Sequence, residues 1–136
     1  MKTHLNFPTT DLDASVAFYK TLLHAEPAKH YDDYALFIND DPGLELALDH
    51  AARGVTIGSA HYGIMVRDAQ QVEDAVQRLE SAGYDTDIER DETCCYANQT
   101  KVWATDPDGR RWEVYTVHEE TEQRDDPDAT CCSDAE

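Results

Sequence analysis

Five side chains in this chain have the types and the placement to do chemistry: His4, His61 and Glu113, each in a strand-like run, and the adjacent pair Cys94-Cys95. Two imidazoles and one carboxylate form a donor set for a divalent ion that leaves positions open, for oxygen chemistry on Fe(II) or for Lewis-acid work. Two neighbouring thiols favour soft, thiophilic ions over magnesium or calcium. Taken singly, a strand histidine is more often a packed or surface residue, and a free cysteine often behaves as a small hydrophobe. What lifts these residues above that background is the arrangement of the elements that carry them.

The segment that opens at His4 and the one that opens at His61 align at a constant offset of 57 residues, the mark of an internal duplication. Each histidine is followed seven residues later by an aspartate, Asp11 or Asp68, in the position of a helix N-cap. A first helix is predicted over residues 12–23, with Leu12, Val16, Tyr19 and Leu22 on one face. A second is predicted over residues 69–82, with Val72, Val76 and Leu79 inward and Gly83 as a left-handed cap. Under the same offset Tyr19 pairs with Val76 and Leu22 with Leu79.

Strand-like runs follow each helix, over residues 35–39 and 44–49 in the first half and 101–106 and 112–117 in the second. Asp41-Pro42-Gly43 precedes Leu44-Glu45-Leu46 much as Asp106-Pro107-Asp108-Gly109 precedes Trp112-Glu113-Val114, which makes Glu45 the expected repeat mate of Glu113. In such turns proline presets one dihedral and glycine accepts a positive φ. Strand alternation sets Glu113 on one face with Arg111 and Tyr115, opposite Trp112 and Val114. The expected fold is therefore α+β: two tandem βαβββ modules, about 1–50 and 58–118, whose curved sheets form a metal cleft within one domain over 1–118. His24, His30, His50 and His118 lack this symmetry and read as surface or supporting residues.

Twenty-nine acidic against 11 basic residues give a formal charge of −18. That excludes nucleic acid and anionic membranes as natural partners, since both would be repelled. Such an excess also destabilises the compact state, and concentrated salt relieves it by shortening the screening length. The composition thus predicts a halophilic protein working in a salty cytoplasm, with a melting temperature that rises as KCl is added. No apolar run approaches the roughly 20 residues of a bilayer span, and Met1-Lys2-Thr3-His4 has no signal-peptide core, so a cytoplasmic location is expected. Residues 119–136 are acidic and poor in large apolar side chains, which predicts a disordered tail carrying Cys131-Cys132.

Residues 90–99 have no clear periodicity and read as a loop at the cleft mouth that carries Cys94 and Cys95. Adjacent cysteines bridge each other with difficulty, and a reducing compartment keeps them as thiols. Trivalent arsenic bearing one organic group has two remaining sites, and a vicinal dithiol can fill both. Asp91 and Glu92 oppose thiolate formation until an ion binds.

Phe18-Tyr19-Lys20 with Ala25-Glu26-Pro27-Ala28-Lys29, Thr93-Cys94-Cys95-Tyr96-Ala97, and Lys101-Val102-Trp103-Ala104-Thr105 through Arg111-Trp112-Glu113-Val114-Tyr115-Thr116-Val117 carry a family resemblance. Over residues 4 to about 118 the chain resembles the vicinal-oxygen-chelate superfamily, also called the glyoxalase, bleomycin-resistance and extradiol-dioxygenase superfamily. Within it the chain is most similar to organoarsenical carbon-arsenic lyases and cadmium-induced proteins. The resemblance implies a non-haem Fe(II) dioxygenase that uses O2 to cleave the carbon-arsenic bond of methyl- or aryl-arsenicals to arsenite, an arsenical detoxification. It implies His4, His61 and Glu113 as catalytic metal ligands and Cys94 and Cys95 as substrate-binding thiols, in a monomer or homodimer. The same ligands accept Ni, Mn, Zn or Co. Glu45 is a departure: as a fourth ligand it would point to a glyoxalase I-like isomerase or thiol transferase. A non-catalytic protein that binds arsenic or cadmium is the third reading.

Overall fold

The computed structural model describes residues 1–122 and 124–127, and Cys94 by its backbone alone. The chain divides into two compact units, Met1–Gly58 with Thr105–Arg110, and Ser59–Ala104 with the chain from Arg111 onward. Each contains one four-stranded sheet, and the succession of strand, helix and three strands is that of two tandem βαβββ modules.

The first unit comprises β1 (Thr3–Thr9), α1 (Leu12–Leu23), β2 (Lys29–His30), β3 (Tyr34–Asp40) and β4 (Gly43–His50). Its sheet runs in the order β1-β4-β3-β2, with β1 parallel to β4 and the other pairs antiparallel. Alternation places Phe7, Phe37, Leu46 and Leu48 in the core and His4, Ile38 and Glu45 on the other face. The predicted stripe of α1, Leu12, Val16, Tyr19 and Leu22, is buried, with Phe18 beside it. The Asp11 carboxylate accepts the Ala14 amide and starts this helix. His24 ends it at φ 52, where the Ala25 amide donates to the Lys20 carbonyl; this left-handed cap usually falls to glycine.

The turn Thr105–Arg110 groups with the first unit for a visible reason. Its Asp106 side chain accepts hydrogen bonds from Tyr19 Oη at 2.6 Å, the Arg110 amide at 2.8 Å and Arg110 Nη1 at 3.1 Å. Arg110 also donates to the Pro8 carbonyl and lies over the Phe7 ring, 4.3 Å from its centroid. Gly109 takes φ 101, the positive value expected of this turn. Gly43 does not, and the expectation of two equivalent turns is corrected there: Asp41-Pro42 is a tight turn with a cis peptide bond. What glycine supplies at position 43 is space, because a Cβ would lie 3.1 Å from the Met1 carbonyl oxygen.

The second unit comprises β5 (His61–Met65), α2 (Ala69–Ser81), β6 (Asp87–Cys94), β7 (Ala97–Thr105) and β8 (Arg111–Glu120), in the sheet order β5-β8-β7-β6. Asp68 caps α2 through the Gln71 amide, and Val72, Val76 and Leu79 are buried. The helix ends one residue before its predicted limit. Ala82 is the cap, Gly83 follows at φ 88, and the Tyr84 amide reaches back to the Leu79 carbonyl. No helix among the described residues is long and apolar enough to cross a membrane.

Two expectations change in this unit. Residues 90–99 are not a loop: β6 runs to Cys94 and β7 returns from Ala97, so only Cys95 and Tyr96 form the turn. A bulge at Asp91, φ 55, shifts the register between Glu89 and Glu92 and breaks the alternation that would have revealed the strand. The acidic tail is structured at its beginning, because β8 extends to Glu120 and Thr121, Arg124, Asp125 and Asp126 hydrogen-bond back to the β6–β7 hairpin. Cys131 and Cys132 lie outside the described residues.

Candidate metal and thiol site

In the second unit β5 and β8 run parallel, with His61 opposite Arg111 and Gly63 opposite Glu113. Paired residues share a face, so His61, Gly63, Arg111, Glu113 and Tyr115 lie together, with Trp112 and Val114 on the other side. Glu113 is only 8 % exposed, and its carboxylate lies over the glycine. A Cβ at position 63 would meet Glu113 Cγ at 3.1 Å, Glu113 Oε1 at 3.3 Å and Tyr115 Cε1 at 3.0 Å. The missing side chain is thus the cradle of the carboxylate, and His61 stands next to it on the same strand.

A buried carboxylate needs a counter-charge. Lys101, 3 % exposed, supplies it with Nζ 3.4 Å from Glu113 Oε2. Trp103, also on β7, meets the His61 ring edge-on at 5.2 Å between centroids, and the Arg111 guanidinium covers it at 4.4 Å. Trp103 Nε1 donates to Glu89 at 3.4 Å. Burial raises the Tyr115 phenol above its ordinary value, and the Glu113 charge adds to the effect; its hydroxyl is neutral at physiological pH. Lys101 and Trp103 were not singled out as site residues from sequence, whereas alternation had already set Arg111 on the Glu113 face. The available signal was alternation: Lys101 and Trp103 fall on one parity of β7, and a lysine that precedes the apolar run Val102-Trp103-Ala104 needs a partner if it is buried.

In the first unit His4 faces Glu45 across the parallel β1–β4 pair, and Asn6 faces Ala47. His4 is exposed and Glu45 half-buried. This register corrects the repeat equivalence. With His4 matched to His61, Glu45 corresponds to Arg111 and Ala47 corresponds to Glu113. The similar turn sequences suggested otherwise, but the turns differ in length and shift the last strand by two positions.

The structure therefore joins His61 and Glu113 on one face of the second unit and sets His4 on the corresponding strand of the first. Among the described residues no three His, Cys, Asp or Glu side chains are gathered as a metal site. The donor chemistry nevertheless suits a divalent cation. An imidazole stands beside a carboxylate that is buried, charge-balanced and seated over a glycine.

Cys94 ends β6 in register with Ala97, and Cys95 is exposed in the turn. Cys95 and Tyr96 have φ 55 and 65, the two successive positive values of a type I′ turn that Asn-Gly usually fills. The Cys94 side chain lies outside what is described.

The residues 3–114 match the model of the Glyoxalase/Bleomycin resistance protein/Dioxygenase superfamily. The chain is 42% identical over 122 residues to the "Cadmium-induced protein CadI" of Mycobacterium tuberculosis, covering 89% of this chain and 79% of that one. It is 38% identical over 133 residues to the "Trivalent organoarsenical cleaving enzyme" of Thermomonospora curvata, covering 97% and 88%. A crystal structure of a glyoxalase/bleomycin resistance protein/dioxygenase from Alicyclobacillus acidocaldarius shares the fold, with a TM-score of 0.70 at 23% identity over 88% of this chain and 92% of that one.

Proposed function

Because the chain belongs to the glyoxalase/bleomycin resistance protein/dioxygenase superfamily, we propose that it is a metal-dependent enzyme that cleaves the carbon-arsenic bond of trivalent methyl- or aryl-arsenicals. The observation that carries the reading is the Glu113 carboxylate over Gly63, beside His61 on one sheet face, in a chain that also holds vicinal cysteines at a hairpin. The similarity to a trivalent organoarsenical cleaving enzyme supports the substrate class.

His4, His61 and Glu113 are the ligands in this proposal, and Fe(II), when bound, supplies the activation of O2 for oxidative cleavage. Capture of the substrate falls to Cys94 and Cys95. Two sulfur-arsenic bonds form, two arsenic-oxygen bonds break, and the thiol protons leave with the departing hydroxides as water. Holding the arsenical at two points converts an encounter into an oriented reaction. Lys101 supplies the counter-charge beside Glu113, and Trp103 packs edge-on against the His61 ring and holds its plane. For methylarsonous acid the balance is CH3As(OH)2 + O2 giving HCHO and As(OH)3: the carbon-arsenic bond breaks, O2 oxidises the methyl carbon to formaldehyde, and arsenic leaves as arsenite.

The test is anaerobic loading with Fe(II), addition of methylarsonous acid, then air, with arsenic speciation over time. Oxygen-dependent arsenite release that disappears in Cys94→Ala, with the metal still bound, is the expected result. Turnover without oxygen would reject the dioxygenase chemistry, and capture without any turnover would reduce the protein to a sequestering role.

One observation favours a second reading. Glu45 stands directly opposite His4, where it could complete a set of two histidines and two acids for isomerase or thiol-transferase chemistry on nickel or zinc. Its register mate is Arg111 rather than Glu113, which speaks for three ligands over four.

A further inference from the structure

The hairpin that carries the cysteines has a backbone its own residues do not favour. Neither Cys95 nor Tyr96 is a glycine or asparagine, yet both sit at positive φ, a state that side-chain-bearing residues hold only where the surroundings fix it. The surroundings here are the chain just past β8. The Thr93 amide donates to Asp126 Oδ2 at 2.8 Å, and the Asp126 amide returns a bond to the Thr93 carbonyl at 2.9 Å. The Cys95 amide donates to Asp125 Oδ1 at 3.2 Å. The Tyr96 amide donates to the Arg124 carbonyl at 3.0 Å, and its carbonyl accepts from the Thr121 amide at 2.8 Å. Arg124 also approaches the Tyr96 ring, 5.7 Å from the centroid.

We propose that Thr121, Arg124, Asp125 and Asp126 form a clasp that fixes the Cys95-Tyr96 turn and thereby holds the vicinal thiols ready for two-point capture of a trivalent arsenical. The inference rests on the thiol-capture reading above. Asp125 and Asp126 are positioning residues in it, because they act through the amides of Cys95 and Thr93. A carboxylate makes a stronger bond to a backbone amide than a neutral acceptor does. When a competent conformation is only partly populated, apparent affinity falls by that fraction. Loss of both carboxylates lets the turn relax, so one sulfur can bind before the other is in place.

The experiment titrates the full chain with phenylarsine oxide and follows amide hydrogen exchange in parallel. The Asp125→Ala/Asp126→Ala variant is expected to bind about tenfold more weakly and to exchange its Thr93 and Cys95 amides at least about tenfold faster. Asp125→Asn/Asp126→Asn retains an acceptor oxygen at each site and is expected to stay within about threefold of the wild type. Cys131→Ser/Cys132→Ser is expected to bind as the wild type does. Unchanged affinity in the double alanine variant overturns the clasp and leaves thiol capture intact. Weakening in the tail-cysteine variant equal to that of the double alanine overturns it as well. Wild-type binding that survives in Cys94→Ala rejects thiol capture instead, and unchanged exchange at Thr93 and Cys95 in the double alanine variant rejects the clasp without reference to arsenic.

Discussion

His4 and His61 open equivalent strands, but different neighbours stand beside them. In the first unit the residue opposite the histidine is an acid, Glu45, and two positions along comes Ala47. In the second the residue opposite is Arg111, and two positions along comes Glu113, over a glycine that makes room for it. Duplication supplied the same backbone twice, and a two-position difference in the last strand decided which half presents a buried carboxylate next to its histidine. The proposed donor set is thus asymmetric by register, even where the sequence motifs look symmetric.

The comparison is broken most severely by removing the acid of the second unit. Glu113→Ala is expected to lower arsenite release by more than about a hundredfold, measured as kcat/KM on iron-loaded protein. Gly63→Ala tests the cradle without removing any proposed ligand side chain. The added Cβ must displace Glu113 or Tyr115, and a loss of about 10- to 100-fold in activity or metal affinity is expected, with a far smaller change in urea midpoint. An unaffected Gly63→Ala variant would show that the carboxylate position is not critical.

A subtler contrast separates the helices. Tyr19 of α1 donates to the buried Asp106, whereas its repeat mate in α2 is Val76. Tyr19→Phe should cost about 1.5–3 kcal/mol in urea unfolding, the usual range for a lost hydrogen bond with a charged partner. Asp108, in the same turn, gives the first unit a pH signature. Burial would raise its carboxyl pKa, but hydrogen bonds from Thr9 and Thr10 and the charge of Arg110 bring it below the ordinary value. A carboxyl lowered in the folded state stabilises above its unfolded value, about 3.9, and that contribution is lost as pH falls through the folded value. Asp108→Asn should therefore reduce stability at neutral pH and flatten its decline below about pH 4. The smallest effect is expected from Glu45→Ala, within about threefold of wild-type activity; a loss equal to that of Glu113→Ala would restore the four-ligand reading.

Much of the scaffold could be read from residues alone, for definite reasons. Asp11 and Asp68 cap helices whose apolar spacing is unambiguous, and α1 spans the predicted residues 12–23. The β6–β7 hairpin was hidden because the Asp91 bulge interrupts its alternation and because Cys95-Tyr96 lacks the glycine or asparagine that announces a type I′ turn. The equivalence of Glu45 and Glu113 failed for a related reason. Local turn sequences resemble each other, but pairing partners set the register, and they lie about 40 or 50 residues away in sequence. Alternation puts Lys101 and Trp103 on one face of β7, but only the structure places them against Glu113 and His61.

Iron retention by single-residue variants tests most directly which side chains hold the cation. Purified wild type, His4→Ala, His61→Ala, Glu113→Ala and Glu45→Ala would be loaded anaerobically with Fe(II), gel-filtered and analysed for iron per chain. Wild type and Glu45→Ala should keep about one iron each, and the other three should lose most of it. Full retention by His4→Ala, or loss from Glu45→Ala as complete as from Glu113→Ala, would contradict the proposed three-ligand set.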